Sequence, residues 1–340
     1  MIVLTSALAL ATVLAAMPQL PPSQRPQSRP QPRNNPAVKN SPDPRSKKTG
    51  RETKRGMEKP GEETESPGNA PAAADKAPEA AKDSSGVPIP PVPDFDRSDP
   101  EVFGRQLIEY LQTFEAGWAN ELGHGKIFHE GTGESAWYAP FRWLALERPD
   151  RGDQRLLRVM GEETGPSGGL LIHAKPRFPA KAWIHEAPAE AADRLSSDEL
   201  SRTLLGSALQ ARDLAPIEIN RFEWKYLGDE SIARDGEQVY CYRLEQRTDR
   251  EGEPTRILWI AHQWRIERIE TLSEEGATTR TIDFAQWAHH EGRFWRPWRW
   301  ALHDRASKSK TMIAFSDLDL LDDSAAAPEW RDLKASELLD

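Results

Sequence analysis

The chain has 340 residues, a net charge of −9 and a single cysteine. One cysteine excludes an internal disulfide framework, and the acidic balance argues against a nucleic-acid module, which needs a basic face. Composition is uneven: residues 17–95 hold 17 of the 28 prolines, and all 12 tryptophans lie beyond them.

The opening run MIVLTSALALATVLAAM is apolar over about 15 residues, shorter than the roughly 20 a membrane-spanning helix needs. Small residues at Val13-Leu14-Ala15 suit cleavage, so residues 1–16 read as a secretory signal peptide. A buried terminal helix or strand is the poorer reading, because the Pro-rich stretch separates this run from the rest. No cysteine near residue 17 could accept a lipid. Residues 17–95 are otherwise Ser, Gln, Asn, Ala and mixed charge, with 13 Lys/Arg and 10 Asp/Glu. Such a segment cannot bury enough apolar surface to offset chain entropy, and it reads as a disordered, solvated linker. The folded part is then 96–340, where 32 Lys/Arg face 44 Asp/Glu, and it is long enough for one well-filled core.

Within it, SDPEVFGRQLIEYLQTFEAGW predicts a helix. Ser98 or Asp99 can cap it, Pro100 suits its first turn, and Phe103, Leu107, Tyr110, Leu111, Phe114 and Trp118 form one apolar stripe. Gly123 to Gly133, with four glycines, reads as a polar loop and hairpin turn. SAWYAPFRWLALERP, RLLRVMGEE, GGLLIHAKP and KAWIHEAP then read as short antiparallel strands. SSDELSRTLLGSALQARDL predicts a short helix with a Ser196/Glu199 capping box and a stop at Gly206. The remainder is again strands, and Asp235-Gly236, Glu251-Gly252, Glu275-Gly276 and Glu291-Gly292 are its turn candidates. In GRFWRPWRW, Pro297 predicts a sheet edge or a bulge, and period-two alternation sets Trp295 opposite Trp298 and Trp300. The arginines there are expected to flank a groove rather than form one. The whole reads as an α+β fold with a curled antiparallel sheet.

Catalytic signals are weak. His124 and His129 with Glu130 and Glu134 fit no zinc spacing, the Gly-rich GTGES and GEETGPSGG precede no phosphate-binding helix, and Ser167 lacks a nucleophile-elbow frame. Cys241, in the alternating QVYCYRLE, reads as a buried strand residue. The expectation is a binding protein with no catalytic residue, metal or cofactor.

From RLLRVMGEETGPSGGLLIHAKP through KAWIHEAP to TLLGSALQARDL, the ordered pattern resembles the LolA/LolB-like outer-membrane lipoprotein-sorting proteins. YLGDESIARDGEQVYCYRLEQ, ILWIAHQWRIERIETLSEEGATTRTIDF and GRFWRPWRWALHD continue it over residues 100–338. The resemblance implies a half-open antiparallel β-barrel closed by helices around an apolar cavity for acyl chains. It implies a monomeric periplasmic carrier that passes lipoproteins or other lipids between membrane-bound donor and acceptor proteins. An envelope sensor or interaction module on the same fold is the alternative. In such a barrel, core and ligand wall are one surface, which nominates Trp143, Leu144, Leu171, Trp183, Trp259, Trp264 and Trp287. The inward face of each strand is left open, since a slip of one residue exchanges the set.

Overall fold

The structure, a computed structural model, describes residues 93–340 except 133–135, 149–151, 162–165, 176–177, 179, 235, 249, 251–252, 291–292, 322–332 and 339–340. The segment read as a signal peptide, residues 17–92 of the linker and the Glu251-Gly252 and Glu291-Gly292 turns lie outside the described residues.

Asp99 caps helix α1 (Pro100–Glu115), accepting from the Glu101 and Val102 amides at 2.9 and 3.2 Å. Phe103, Leu107 and Leu111 of the expected stripe are buried, and so is Ile108 beside them. The helix stops short of Trp118. Gly117 (φ 91°) and Ala119 (φ 61°) take left-handed backbone, and the Glu147 carboxylate accepts both of their amides at 2.7 and 3.1 Å. Arg293 donates to the Ala116 carbonyl at 2.7 Å, a cation set at the negative end of the helix.

Thirteen strands follow: β1 (Asn120–Glu130), β2 (Trp137–Leu146), β3 (Asp153–Val159), β4 (Gly168–Ala174), β5 (Lys181–Glu186), β6 (Asp193–Leu195), β7 (Glu223–Arg234), β8 (Glu237–Arg247), β9 (Arg256–Ala261), β10 (Arg265–Leu272), β11 (Thr278–His290), β12 (Phe294–Asp304) and β13 (Ser309–Leu321). They form one curved, unclosed antiparallel sheet in the order β6-β5-β4-β3-β2-β1-β13-β12-β11-β10-β9-β8-β7. Two meanders, β1–β6 and β7–β13, are thus joined where β1 pairs with β13.

The stretch expected to be a polar loop, from Gly123, is therefore part of a central strand up to Glu130. Its glycines look like loop formers in isolation, but here they admit neighbouring rings. A Cβ at Gly125 would sit 2.8 Å from the Phe141 ring, which packs edge-on against Phe315. Gly104 does the same for α1: a Cβ there would lie 2.8 Å from the Tyr226 amide of β7, so only glycine lets the helix meet the strand backbone.

Strands β6 and β7 are consecutive in sequence yet occupy opposite edges of the sheet. The connector between them, residues 196–222, crosses one face. It does so as short 3-10 turns (Ser197–Ser201, Leu204–Gly206, Ala211–Asp213, Ile219–Arg221) rather than the expected helix. The Ser196/Glu199 box forms, with the Ser196 amide 2.8 Å from the Glu199 carboxylate. Leu205 then turns left-handed (φ 52°), and Thr203 pairs with Gln210 as a β-bridge. Weak local propensity yields to tertiary contacts: Leu200, Leu204, Leu209 and Leu214 are buried against Phe141, Leu157, Ile172, Ile184 and Ile313 of the sheet.

Polar anchors fix the crossing. Arg280 of β11 is buried; it donates to the Ala208 carbonyl at 2.7 and 3.2 Å and pairs through both terminal nitrogens with the Asp213 carboxylate. The Ala208 amide donates to Thr311 Oγ1 at 2.8 Å, and that hydroxyl also meets His129 Nδ1 at 3.1 Å. Beyond this layer, α1 covers β7–β9 through Trp224, Tyr242, Leu244, Leu258 and Trp264. On other parts of the sheet, Leu144, Leu146, Leu156 and Leu171 pack with Leu333 and Leu338 near the C-terminus, and Ile232, Cys241, Ile257 and Trp259 form a smaller cluster.

Removing one member of a buried ion pair strands the other charge. Asp213→Ala is expected to lower unfolding free energy by about 3–5 kcal/mol in urea titrations, and Asp213→Leu with Arg280→Met to recover most of that loss. Burial also holds His129, His262, His290 and His303 below the ordinary histidine range. Their folded state favours the neutral ring, so this contribution is full above the unfolded histidine pKa of about 6.5 and fades as pH falls below it. Thermal melts should show a lower Tm at about pH 5.5 than at about pH 7.5; His129→Gln should reduce the difference.

Candidate functional site

Where the connector leaves the face uncovered, between the end of α1 and strands β10–β12, an open-sided cavity of about 1170 Å³ remains. Its roof is Ile108, Leu111 and Glu115 of α1, and the connector segment Asp213–Arg221 closes one side. The floor carries Trp118, Trp143, Phe284, Trp287, Trp295 and Trp300. These rings pack against one another: Trp143 and Phe284 both meet Trp300 edge-on, at centroid distances of 6.1 and 5.5 Å.

The wall is not wholly apolar. Arg296 is buried and donates from Nε to Glu121 at 2.9 Å and from Nη1 to Glu115 at 3.0 Å. Trp143 Nε1 donates to the other Glu121 oxygen at 2.9 Å. Burial raises the Glu115 pKa against the pull of Arg296. Burial alone would lower that of Arg296, but Glu121 and Glu115 outweigh it and raise it. The pair ties the end of α1 to β12, so roof and floor are linked at one side of the opening. Arg155 donates to the Leu214 carbonyl at 3.2 Å, and its Nε, like Trp300 Nε1, has no hydrogen-bond partner among the described residues.

Of the seven nominated residues, Trp143 and Trp287 lie on this cavity. Leu144, Leu171 and Trp183 belong to the cluster packed with Leu333 and Leu338, one residue out of phase with the inward Trp143, Leu170 and Ile184. Trp259 packs beside Cys241, and Trp264 is fully buried against α1, its ring stacked on Phe114 at 5.7 Å. The strand parity left open in the sequence accounts for this scatter.

The sequence reading also passed over Trp118, Phe284, Trp295, Arg296 and Trp300. Arg296 forms part of the wall, against the expectation that the arginines of GRFWRPWRW merely flank it. Trp295 and Trp300, of opposite parity, both reach the cavity. The reason is local. Strand β12 pairs with β13 only from Arg299 onward, whereas its pairing with β11 begins at Phe294. Pro297 therefore stands on a stretch with one hydrogen-bonded neighbour, which is the edge its missing N–H predicts. Across the ladder, Gln286 takes left-handed backbone (φ 55°) between Phe284 and Trp287, both of which line the cavity.

The single cysteine is not on the cavity wall. Cys241 lies in a different cluster, its thiol pushed up to about 12 by burial. Among the described residues no group of three His, Cys, Asp or Glu side chains could hold a metal, and no helix is long and apolar enough to cross a membrane. What the arrangement offers is aromatic contact area with a few fixed polar groups, which is the make-up of a small-molecule pocket.

A family model described as an uncharacterized protein matches residues 168–325. No curated protein sequence matches the chain. Among solved structures, the chain is similar to a domain from Vibrio parahaemolyticus assigned as an outer membrane lipoprotein-sorting protein, at 19% identity and a TM-score of 0.59 over 67% of this chain and 96% of that one. It is similar also to a DUF1329 family protein from Desulfovibrio piger, at 14% identity and a TM-score of 0.60 over 71% of this chain and 100% of that one. The chain therefore shares the fold of that lipoprotein-sorting domain: a large, strongly curved, unclosed antiparallel sheet with one helix packed on it.

Proposed function

We propose that the chain is an exported, non-catalytic carrier that holds the acyl chains of lipoproteins or other lipids and delivers them towards the outer membrane. The observation that carries this reading is the aromatic cavity of about 1170 Å³, open on one side. Small-molecule pockets span roughly 300–1,000 Å³, so this one has room for a long apolar chain. Each buried methylene contributes about 0.8 kcal/mol, so ten of them give roughly 8 kcal/mol before ordering costs. Binding of that kind needs no reactive group. It needs a wall, and an opening through which cargo can pass to a donor or acceptor protein in the membrane.

Exposed Phe178 stands at the cavity rim, where such a transfer would begin. The likeness to the lipoprotein-sorting domain agrees with the reading, and so does an apolar N-terminal run of signal-peptide type.

Native mass spectrometry of the protein purified without delipidation should show adducts of lipid mass. A fluorescent fatty acid should bind and be displaced by unlabelled palmitate. Replacing a wall ring by a charge, as in Trp287→Asp, should weaken the fluorescent probe at least about tenfold, the loss expected when an apolar contact worth about 1.4 kcal/mol or more is removed, with an unchanged circular dichroism spectrum. A wild-type protein that carries no lipid and binds no fatty acid would sink the carrier assignment.

A further inference from the structure

Beside the aromatic cavity lies a second, smaller pocket of about 160 Å³, between the connector and the ends of β8 and β9. The segment Ala215–Glu218 lines both, so the two spaces share a wall. Four arginines converge on the smaller one: Arg212 and Arg221 from the connector, Arg250 from the loop after β8, and Arg256 from β9.

Its acidic residues are largely committed elsewhere. Asp213 is engaged by Arg280. Glu218 and Glu253 both bind Arg221, at 3.0 Å each, and Glu218 also accepts the Ala180 amide at 2.9 Å. Asp198 is exposed. This leaves Arg212, Arg250 and Arg256 with no hydrogen-bonded carboxylate among the described residues. Nε of Arg212 is buried without any hydrogen-bond partner. Burial pushes the Arg256 guanidinium down to about 10, despite the attraction of Asp213. Arg250 is exposed, whereas Arg212 and Arg256 are part-buried; a desolvated guanidinium without a hydrogen-bonded carboxylate is costly, and a fold retains it at little benefit unless something anionic completes it.

We propose that this pocket binds a phosphate group, supplied by the headgroup of an anionic amphiphile whose apolar chains occupy the adjoining aromatic cavity. The proposal rests on the carrier reading and adds to it the class of cargo. A water occupies roughly 30 Å³, so the pocket has room for a group several times larger, the size of a phosphate. Guanidinium forks match phosphate oxygens geometrically and remain charged at neutral pH. The shared wall sets the two spaces side by side, as a headgroup and its chains require.

Three probes at submicellar concentration separate the contributions in titration calorimetry with the full chain: dihexanoyl phosphatidic acid, dihexanoylglycerol and glycerol 3-phosphate. The first carries phosphate and chains, the second chains only, the third phosphate only. The phosphatidic acid should bind about 10- to 100-fold more tightly than the diacylglycerol, the range expected for charge-assisted hydrogen bonds. Arg256→Gln and Arg212→Gln should each cut that preference while leaving the diacylglycerol affinity as it was; Arg256→Lys should retain part of it. A melt of each variant checks that the fold is kept.

Equal binding of the two lipids by the wild type overturns the proposal, and so does a preference that survives both Gln substitutions. If neither lipid binds but glycerol 3-phosphate does, and Arg256→Gln abolishes it, the phosphate pocket stands with free phosphate esters as its source and the carrier reading falls alone. If no probe binds, both fall.

Discussion

The guanidinium of Arg280, held between the Asp213 carboxylate and the Ala208 carbonyl, sets the arrangement of everything on the inner face of the sheet. It pins the connector to β11 near the middle of the second meander, while Thr311 and His129 receive the same connector from the junction of the two meanders. The leucines of the connector then fill the part of the face lined by β1–β5. What they do not fill, towards β10–β12 and beneath α1, is the cavity. The void is a result of where the connector is fastened, and a buried ion pair is well suited to fastening because a sliding chain would leave both charges unpaired.

The cavity combines two characters that sequence composition alone presents as a contradiction. Its rings make it apolar, and they come from distant parts of the chain: Trp118 after α1, Trp143 in β2, Phe284 and Trp287 in β11, Trp295 and Trp300 in β12. Its charges are set within that aromatic floor, with Arg296 bridging Glu121 and Glu115 while lying 5.7 Å from the Trp118 ring centroid. An arginine paired with carboxylates and laid over an aromatic face is neutralised in effect, and can line an apolar space at modest cost. The adjoining pocket is the contrast: the same residue type recurs there, but Arg212, Arg250 and Arg256 have no hydrogen-bonded carboxylate among the described residues.

Much of the fold was legible because it is written in local patterns. The Asp99-Pro100 start and the apolar stripe define α1, alternation marks most of the strands, and Gly236 and Glu275-Gly276 lie at turns between strands. Two segments were misread for a common reason. Gly123 and Gly125 resemble loop residues, and SSDELSRTLLGSALQARDL resembles a helix, until the partners across the sheet are known. Site residues suffered most. Trp143 lies on the cavity while Leu144, its neighbour in sequence and nominated beside it, packs on the other face; period two makes nominating both inevitable without a fixed register. Trp295, Arg296 and Trp300 share the cavity only because β13 parts from β12 at Arg299, and no local signal but Pro297 announces that parting.

The crossing of the connector from β6 to β7 has one more implication. Among the described residues the sheet has thirteen strands, with β6 and β7 at its two ends, and residues 196–222 are strung between those ends like the string of a bow. The curvature of the sheet and the length of that string are then one variable. Residues added between Leu214 and Ile219, past the point where Arg280 holds the string, would let the β7 edge swing outward and widen the mouth without touching any ring that lines it. Relatives with larger or smaller cavities should differ mainly there, in a stretch that belongs to none of the strands.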